Sequence, residues 1–297
     1  MPNEILDEIL QTTLELAAEP TPAAGADERL PTDDLVAVVR HREVLEALLS
    51  GPLDRRDIEA ELDVSRATSH RFTRWLAEEG LAVREDDHFR LTGKGQVYAE
   101  QLVTFDRNLR AGSSLAPLLD VICEDHQEFV VGPFADATVT TATPADPYRP
   151  VARFVSLLER TETFRGFNTT HMAPPGLASV YEHLFDGVET EILYLPTVVE
   201  NLFEAYPDRA REAIDAGHLT LRTRDALPYG LAIFDDRVAI GGYDDETGTM
   251  RVFVDTDSAI ARGWAERVFE TYRERSEPIE AGADECTDRS SGSTHTE

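Results

Sequence analysis

The chain has almost no lysine. Of its 28 basic residues only Lys94 is one, and the rest are arginine. Cysteine is nearly absent too: Cys123 and Cys286 lie far apart, and Cys286 sits in a polar tail. That argues against a disulfide framework and fits a reducing compartment. No apolar run approaches the roughly 18–20 residues needed to cross a bilayer, so no membrane partner is expected. The opening stretch "MPNEILDEILQTTLELA" has no basic leader and no cleavage site, so a secretory signal is not expected and the chain reads as cytoplasmic.

Positive charge is scarce overall, with a formal net charge of −29 over 297 residues. Acidic surplus with almost no lysine resembles the proteins of extreme halophiles. In molar salt, phosphate attraction is screened over roughly 3 Å, so a nucleic-acid binder there cannot lean on a strongly basic face. Hydrophobic content of 41% with 8% aromatics is that of a globular chain, long enough for two domains with separate cores.

One local absence stands against this background. "VSRATSHRFTRWL", Val64 to Leu76, contains no acidic residue, and its three arginines give it a net charge of +3. Its surroundings give it a place. "DDLVAVVRHREVLEALLSG" reads as one amphipathic helix stopped by Gly51. "LDRRDIEAELD" reads as a second, with Asp54 as N-cap. The acid-free stretch opens a third, capped by Ser65 and stopped at Gly80. "LAVREDDHFRLTGKG" alternates around an acidic turn, the pattern of a β-hairpin. A further helix is expected over Gln96–Ala111. Helix, helix, tight turn, helix, hairpin is the order of a winged helix-turn-helix, with Phe72, Leu76 and Leu81 facing its core and Val64 filling the gap between the second and third helices.

Small polar and arginine side chains on such a third helix suit base edges and backbone phosphates. The expected contacts to double-stranded DNA are Ser65, Arg66, Thr68, Ser69, His70 and Arg71, with Thr73 and Arg74 nearer the phosphates. Spacing puts Arg66, Ser69, His70, Thr73 and Arg74 on one helix face. Arg84, His88, Arg90 and Lys94 would form the wing beside the backbone.

From about Leu115 strands and helices alternate, so residues 115–276 read as a mixed α/β domain. "QEFVVGPF", "FRGFNTT", "TEILYLP", "HLTLRTR", "GLAIFDD", "RVAIGGYD" and "TMRVFVDTD" read as strands. "TTATPADPYRP" reads as a loop. "SAIARGWAERVFETYRER" reads as a closing helix capped by Ser258 or Asp257. The organisation expected is an N-terminal helix and linker (1–33), the winged domain (34–95), a connecting or dimerisation helix (96–114), the α/β domain and a disordered tail (277–297). The fold class is thus a winged helix-turn-helix joined to a mixed α/β sensor-type domain.

The chemistry in the second domain is thin. Cys123 and His126 have metal-like spacing but no second pair, so no metal and no cofactor is expected. Gly241-Gly242 reads as a strand with a bulge, and "DDETG" as a tight hairpin turn. The loop "GFNTTHMAPPG" joins a strand to a Pro-initiated helix, a common place for a ligand. Asn168, Thr169, Thr170 and His171 there, with Arg222, Arg224 and Tyr229 beside a later strand end, are the expected ligand residues.

"ELDVSRATSHRFTRWLAEEGLAVRED" resembles the archaeal winged-helix transcription regulators, over roughly Leu35–Leu102. Residues 115–275 resemble the middle domain of methanogenesis-regulator-like transcription factors. The stretch from "LPYGLAIFDD" to "RVFETYRE" also looks like a degenerate half of a phospholipase D fold, whose enzymes carry H-x-K-x4-D. Tyr229, Leu231 and Asp236 take those positions, so only the aspartate survives. The resemblance implies a fold without its chemistry; the chain is expected to be a DNA-binding homodimer, matching the symmetry of operator half-sites, whose second domain senses a small effector or a partner. An enzyme of the phospholipase D type, and a module binding protein instead of DNA, remain open as alternatives.

Overall fold

Two helices stand where the sequence suggests one. In the computed structural model, which describes residues 30–122, 129–169, 184–185, 187–244 and 247–279, α1 (Thr32–Arg40) and α2 (Arg42–Leu49) are separated at His41. The His41 backbone leaves the helical region (φ −104°, ψ 16°). Its ring stacks on Trp75 at 4.0 Å, and its Nδ1 lies 2.7 Å from the Ala37 carbonyl oxygen. The break thus lets one imidazole satisfy the end of α1 and pack on the third helix of the motif.

The chain divides into two units, Met1–Arg110 and Ala111–Glu297. In the first, α3 (Arg55–Glu61) opens on a reciprocal cap: Asp54 accepts from the Arg56 and Asp57 backbone N–H groups, and Asp57 accepts from the Asp54 N–H. A turn through Asp63, at φ +49°, leads to α4 (Arg66–Glu78), where the Ser65 hydroxyl accepts from the Thr68 N–H. Strands β1 (Ala82–Glu85) and β2 (His88–Leu91) pair antiparallel, and Leu53 pairs with Phe89 beside them. Helix α5 (Gly93–Ser114) begins earlier and ends later than the sequence suggests. It starts against the hairpin so closely that a Cβ on Gly95 would fall 1.9 Å from the Leu81 carbonyl oxygen, and only glycine fits. Leu45, Ile58, Phe72, Leu76, Leu81 and Phe89 form the core, and Val64 packs against it half-buried.

The second unit is built on an eight-stranded mixed sheet, in the order β10-β6-β5-β4-β7-β8-β9-β3. Its strands are β3 (Thr138–Thr141), β4 (Thr163–Asn168), β5 (Glu189–Tyr194), β6 (Leu219–Thr223), β7 (Gly230–Ile233), β8 (Val238–Tyr243), β9 (Met250–Thr256) and β10 (Glu277–Pro278). β4, β5 and β6 run parallel; the other neighbours are antiparallel. Successive side chains alternate between two cores: Ile192 and Tyr194 enter one, Leu193 the other. Helices α7 (Arg149–Leu158), α8 (Pro196–Ala205) and α9 (Pro207–Asp215) cover the first face. α6 (Ala116–Ile122) and α10 (Ala259–Glu274) cover the second.

Three sequence readings change. The described part of "QEFVVGPF" is no strand but ends in a 3-10 turn at Gly132–Phe134, where Pro133 removes a ladder donor. β3 begins a segment read as loop; its Thr-Val-Thr-Thr run pairs with β9 at the sheet edge. The polar tail starts as strand β10, and the Ile279 N–H donates to the Leu221 carbonyl oxygen. The bulge falls between Gly242 and Tyr243, and Ser258 caps α10. Among the described residues no helix is long and apolar enough to cross a membrane. Cys123, His126 and Cys286 lie outside the described residues.

Candidate functional site

Helix α4 turns one polar pair inward. Ser69 is fully buried, and its hydroxyl donates to the Arg55 carbonyl oxygen at 3.1 Å. Thr73 is 1% exposed, and its hydroxyl donates to the Ser69 carbonyl oxygen, also at 3.1 Å. Both were expected on the DNA face; instead Ser69 ties α4 to the α3 backbone, and the Thr73 hydroxyl, bonded within α4, accepts from the Arg55 Nε at 3.4 Å. The helical wheel grouped them with the arginines, but a short hydroxyl side chain satisfies itself on a nearby carbonyl and is buried cheaply. Ser65 and Thr68 are committed to the helix start, their hydroxyls 3.0 Å apart.

What remains outward is Arg66, Ala67, His70, Arg71 and Arg74. Arg74 pairs with Glu78 at 2.8 Å, just past the acid-free stretch. Arg66 and Arg71 have no ion pair among the described residues. Outside the expected contacts, Arg55 and Arg56 also lie exposed at the start of α3; the Arg55 Nε donates to the Thr73 hydroxyl at 3.4 Å, and its guanidinium lies 5.8 Å from the centre of the Phe89 ring. Their signal was the Arg-Arg pair directly after an N-cap aspartate.

The wing is less basic than its sequence suggests. Arg84 donates to Asp87 at 2.5 Å and to the Asp86 carbonyl oxygen, across a turn with Asp86 at φ +53°. Arg90 holds Glu85 through two hydrogen bonds, of 3.2 and 2.5 Å. The hydrogen bonds and charge of Arg90 keep the Glu85 carboxyl below its ordinary value. Lys94 donates to the Glu79 carbonyl oxygen at 2.9 Å, a cation on the C-terminal end of α4. His88 is exposed. The hairpin therefore neutralises its own arginines, a pairing that one-dimensional charge counting does not reveal.

In the α/β unit the expected ligand residues do not share one cleft. Asn168 and Tyr194 are register partners at the ends of parallel strands, and Asn168 lines a cavity of about 40 Å³ with Tyr194 and Tyr243. Arg222 lies toward the α10 side, its Nε donating to the Ser276 hydroxyl at 2.6 Å. The Arg224 guanidinium sits 4.3 Å from the centre of the Tyr272 ring, and Tyr229 is buried among Phe167 and Trp264. These three belong to the second core, and Asn168 borders the first. Strand alternation divides them. Thr169 is half-buried; Thr170 and His171 lie outside the described residues. No spacing or motif pointed to Tyr194 and Tyr243, which come from strands distant in the chain.

The phospholipase-like positions do not assemble either. Tyr229 and Leu231 are each 2% exposed in the second core, and Asp236 is exposed in the turn after β7. Among the described residues no group of three His, Cys, Asp or Glu side chains is placed to hold a metal.

Helix pair, turn, α4 and hairpin define a winged helix-turn-helix, followed by a mixed α/β domain. Residues 30–113 match the family described as HVO_A0261 N-terminal domain, and residues 147–275 match methanogenesis regulatory protein FilR1, middle domain. The two matches follow one another along the chain, and each covers less than half of it. No curated protein matches it. Among solved structures, TrmBL2, an archaeal chromatin protein, aligns at 16% identity over 84% of this chain and 100% of its own, with a TM-score of 0.39. Nuc from Salmonella typhimurium, a phospholipase D family member, aligns at 16% identity over 48% of this chain and 99% of its own, TM-score 0.36. NucT from Helicobacter pylori aligns at 12% identity over 48% and 98%, TM-score 0.37. At these scores the likenesses decide neither fold nor function.

Proposed function

We propose that the chain is a cytoplasmic DNA-binding transcription regulator, acting as a homodimer in a high-salt cell, whose α/β domain answers to a small effector. One observation carries the DNA half. In a chain of net charge −29, Arg66, His70 and Arg71 stand together on an acid-free helix face, and the two arginines have no ion pair among the described residues. Leaving guanidinium groups uncommitted amid so much acid suits an anionic partner, and the N-terminal half of α4 is the part that enters a major groove in this motif. Dimerisation matches the symmetry of operator half-sites. The exposed Val97, Phe105 and Leu109 on α5 support a partner surface there. The α/β domain has no catalytic role in this reading, since Tyr229 and Leu231 stand buried where the phospholipase D enzymes carry histidine and lysine.

The test is genome-wide DNA occupancy in the native cell, wild type beside Arg66→Ala/Arg71→Ala. Discrete sites that vanish in the double variant support the reading. Sites that persist unchanged, or none in wild type, overturn it.

A further inference from the structure

The strand ends around Asn168 enclose the cavity, and its lining is unusual in three respects. First, no charged side chain lines it among the described residues: its walls are aromatic and aliphatic, with Phe154, Phe164 and Phe253 prominent. Second, its polar groups come from two buried tyrosines and one half-buried asparagine. Tyr194 and Tyr243 are only 6% and 9% exposed, and the Oδ1 atom of Asn168 is buried without a hydrogen-bond partner. Third, two glycines shape it. A Cβ on Gly230 would fall 2.9 Å from the Tyr243 hydroxyl oxygen and 3.3 Å from Asn168 Oδ1, and one on Gly241 would fall 3.1 Å from that hydroxyl. The Tyr243 phenol lies where the two glycines leave room for it, and its hydroxyl is hydrogen-bonded to the Asn168 side chain, whose Oδ1 atom alone is left without a partner.

A buried acceptor left without a donor costs about 1–3 kcal/mol, and such groups are normally met by water or a ligand. The cavity, at about 40 Å³, exceeds the ~10–15 Å³ that one water needs but falls short of the ~150 Å³ that encloses a benzene ring, so it takes the polar end of a group whose remainder lies at its mouth. An ion entering it would lose its hydration with no counter-charge among the described residues that line it. Burial also pushes both tyrosine hydroxyls above their ordinary value, so at neutral pH they stay protonated, and each both donates and accepts.

We propose that this cavity binds an uncharged planar group that donates a hydrogen bond to Asn168, a carboxamide or phenol, either as a very small molecule or as the end of a larger one. The aromatic walls take the plane of the group, and the tyrosine hydroxyls take its remaining polar atom. This rests on the effector half of the function proposed above and names its site and ligand chemistry; it does not depend on the DNA half.

The experiment is saturation-transfer NMR on the full chain without DNA, using acetamide, benzamide and phenol as probes and benzoate as the charged control. Wild type should bind at least one neutral probe and not benzoate. Asn168→Leu should weaken that probe about tenfold, the loss of one well-made hydrogen bond. The conservative Tyr243→Phe should weaken it by a smaller factor while leaving the fold intact. Failure of all three neutral probes to bind, benzoate binding as well as benzamide, or binding indifferent to both variants would overturn the proposal and leave the cavity to water. Because DNA is absent, a failure here is separable from a failure of the α4 reading, which the Arg66/Arg71 variant tests alone.

Discussion

The Ser69 hydroxyl donates to the Arg55 carbonyl oxygen across 3.1 Å, from a position in α4 with no exposed surface. That bond fixes α4 against α3, so the outward arginines are presented by a helix whose inward face is specified by polar groups as well as by Phe72 and Leu76. The two faces should separate cleanly by mutation. Ser69→Ala should cost about 1 kcal/mol of stability, the net worth of one such bond, and leave DNA affinity at its wild-type value once folded. Arg66→Ala/Arg71→Ala should do the reverse. Melting temperature and DNA affinity, measured on both proteins, check this; a Ser69→Ala variant that keeps its stability but loses DNA would put Ser69 on the contact face after all.

The wing gives a prediction of opposite sign. Glu85 occupies the Arg90 guanidinium through two hydrogen bonds. Glu85→Gln removes the charge and frees Arg90 for a phosphate. DNA affinity should rise, and the slope of log K against log salt should steepen by about 0.9 if one phosphate contact is gained. A salt titration of both proteins decides it. An unchanged slope would mean the wing stands away from the duplex.

What the sequence made legible was local. Asp54, Ser65 and Ser258 are read as helix caps because a cap is a contact between near neighbours, and each is seen. The winged motif and the strand-helix alternation follow from spacing in the same way. What escaped was set by distant partners. His41 breaks a helix because Trp75 offers it a flat surface. Ser69 and Thr73 turn inward toward Arg55, whose carbonyl oxygen accepts from the Ser69 hydroxyl and whose Nε donates to the Thr73 hydroxyl. The seven expected ligand residues looked like one group along the chain, yet the pleat sends Asn168 toward one core and Arg224 toward the other. The cavity residues Tyr194 and Tyr243 meet only because β4 and β7, which separate their strands, carry Asn168 and Gly230 between them.

The same tyrosines predict a response to alkaline pH. Burial raises both hydroxyls above the ordinary 10.0. An unfolded chain loses these protons near that ordinary value, and the folded chain keeps them to higher pH. The unfolded state therefore binds fewer protons above pH 10.0, and stability falls as pH rises. The contribution is complete below that point and declines above it. Tyr243→Phe, which has no proton to lose, should flatten part of the decline. Melting temperatures measured from neutral pH to well above 10.0 should converge for variant and wild type at the alkaline end. Parallel curves would show that the phenol is solvated.

Asp255 carries the last prediction. It is fully buried in β9, yet it is ionically paired twice: Arg153 reaches it through Nε and Nη2 at 2.9 and 2.8 Å, and Arg237 through Nε at 2.7 Å. Asp255 faces Arg153 on α7 and Arg237 just before β8, so one carboxylate ties three elements of the sheet unit. The two guanidinium groups are 32% and 21% exposed and do not share its burial. The loss should therefore be unequal. Asp255→Ala leaves two like charges facing each other across a vacated buried site and should cost about 3–5 kcal/mol, the usual penalty of breaking a buried pair from one side. Arg153→Ala should cost less, because Arg237 still neutralises the carboxylate and water reaches the space Arg153 leaves. Urea unfolding followed in the α/β unit should rank wild type above Arg153→Ala, and Arg153→Ala above Asp255→Ala. Equal losses would mean that Arg237 contributes nothing and that the carboxylate depends on Arg153 alone.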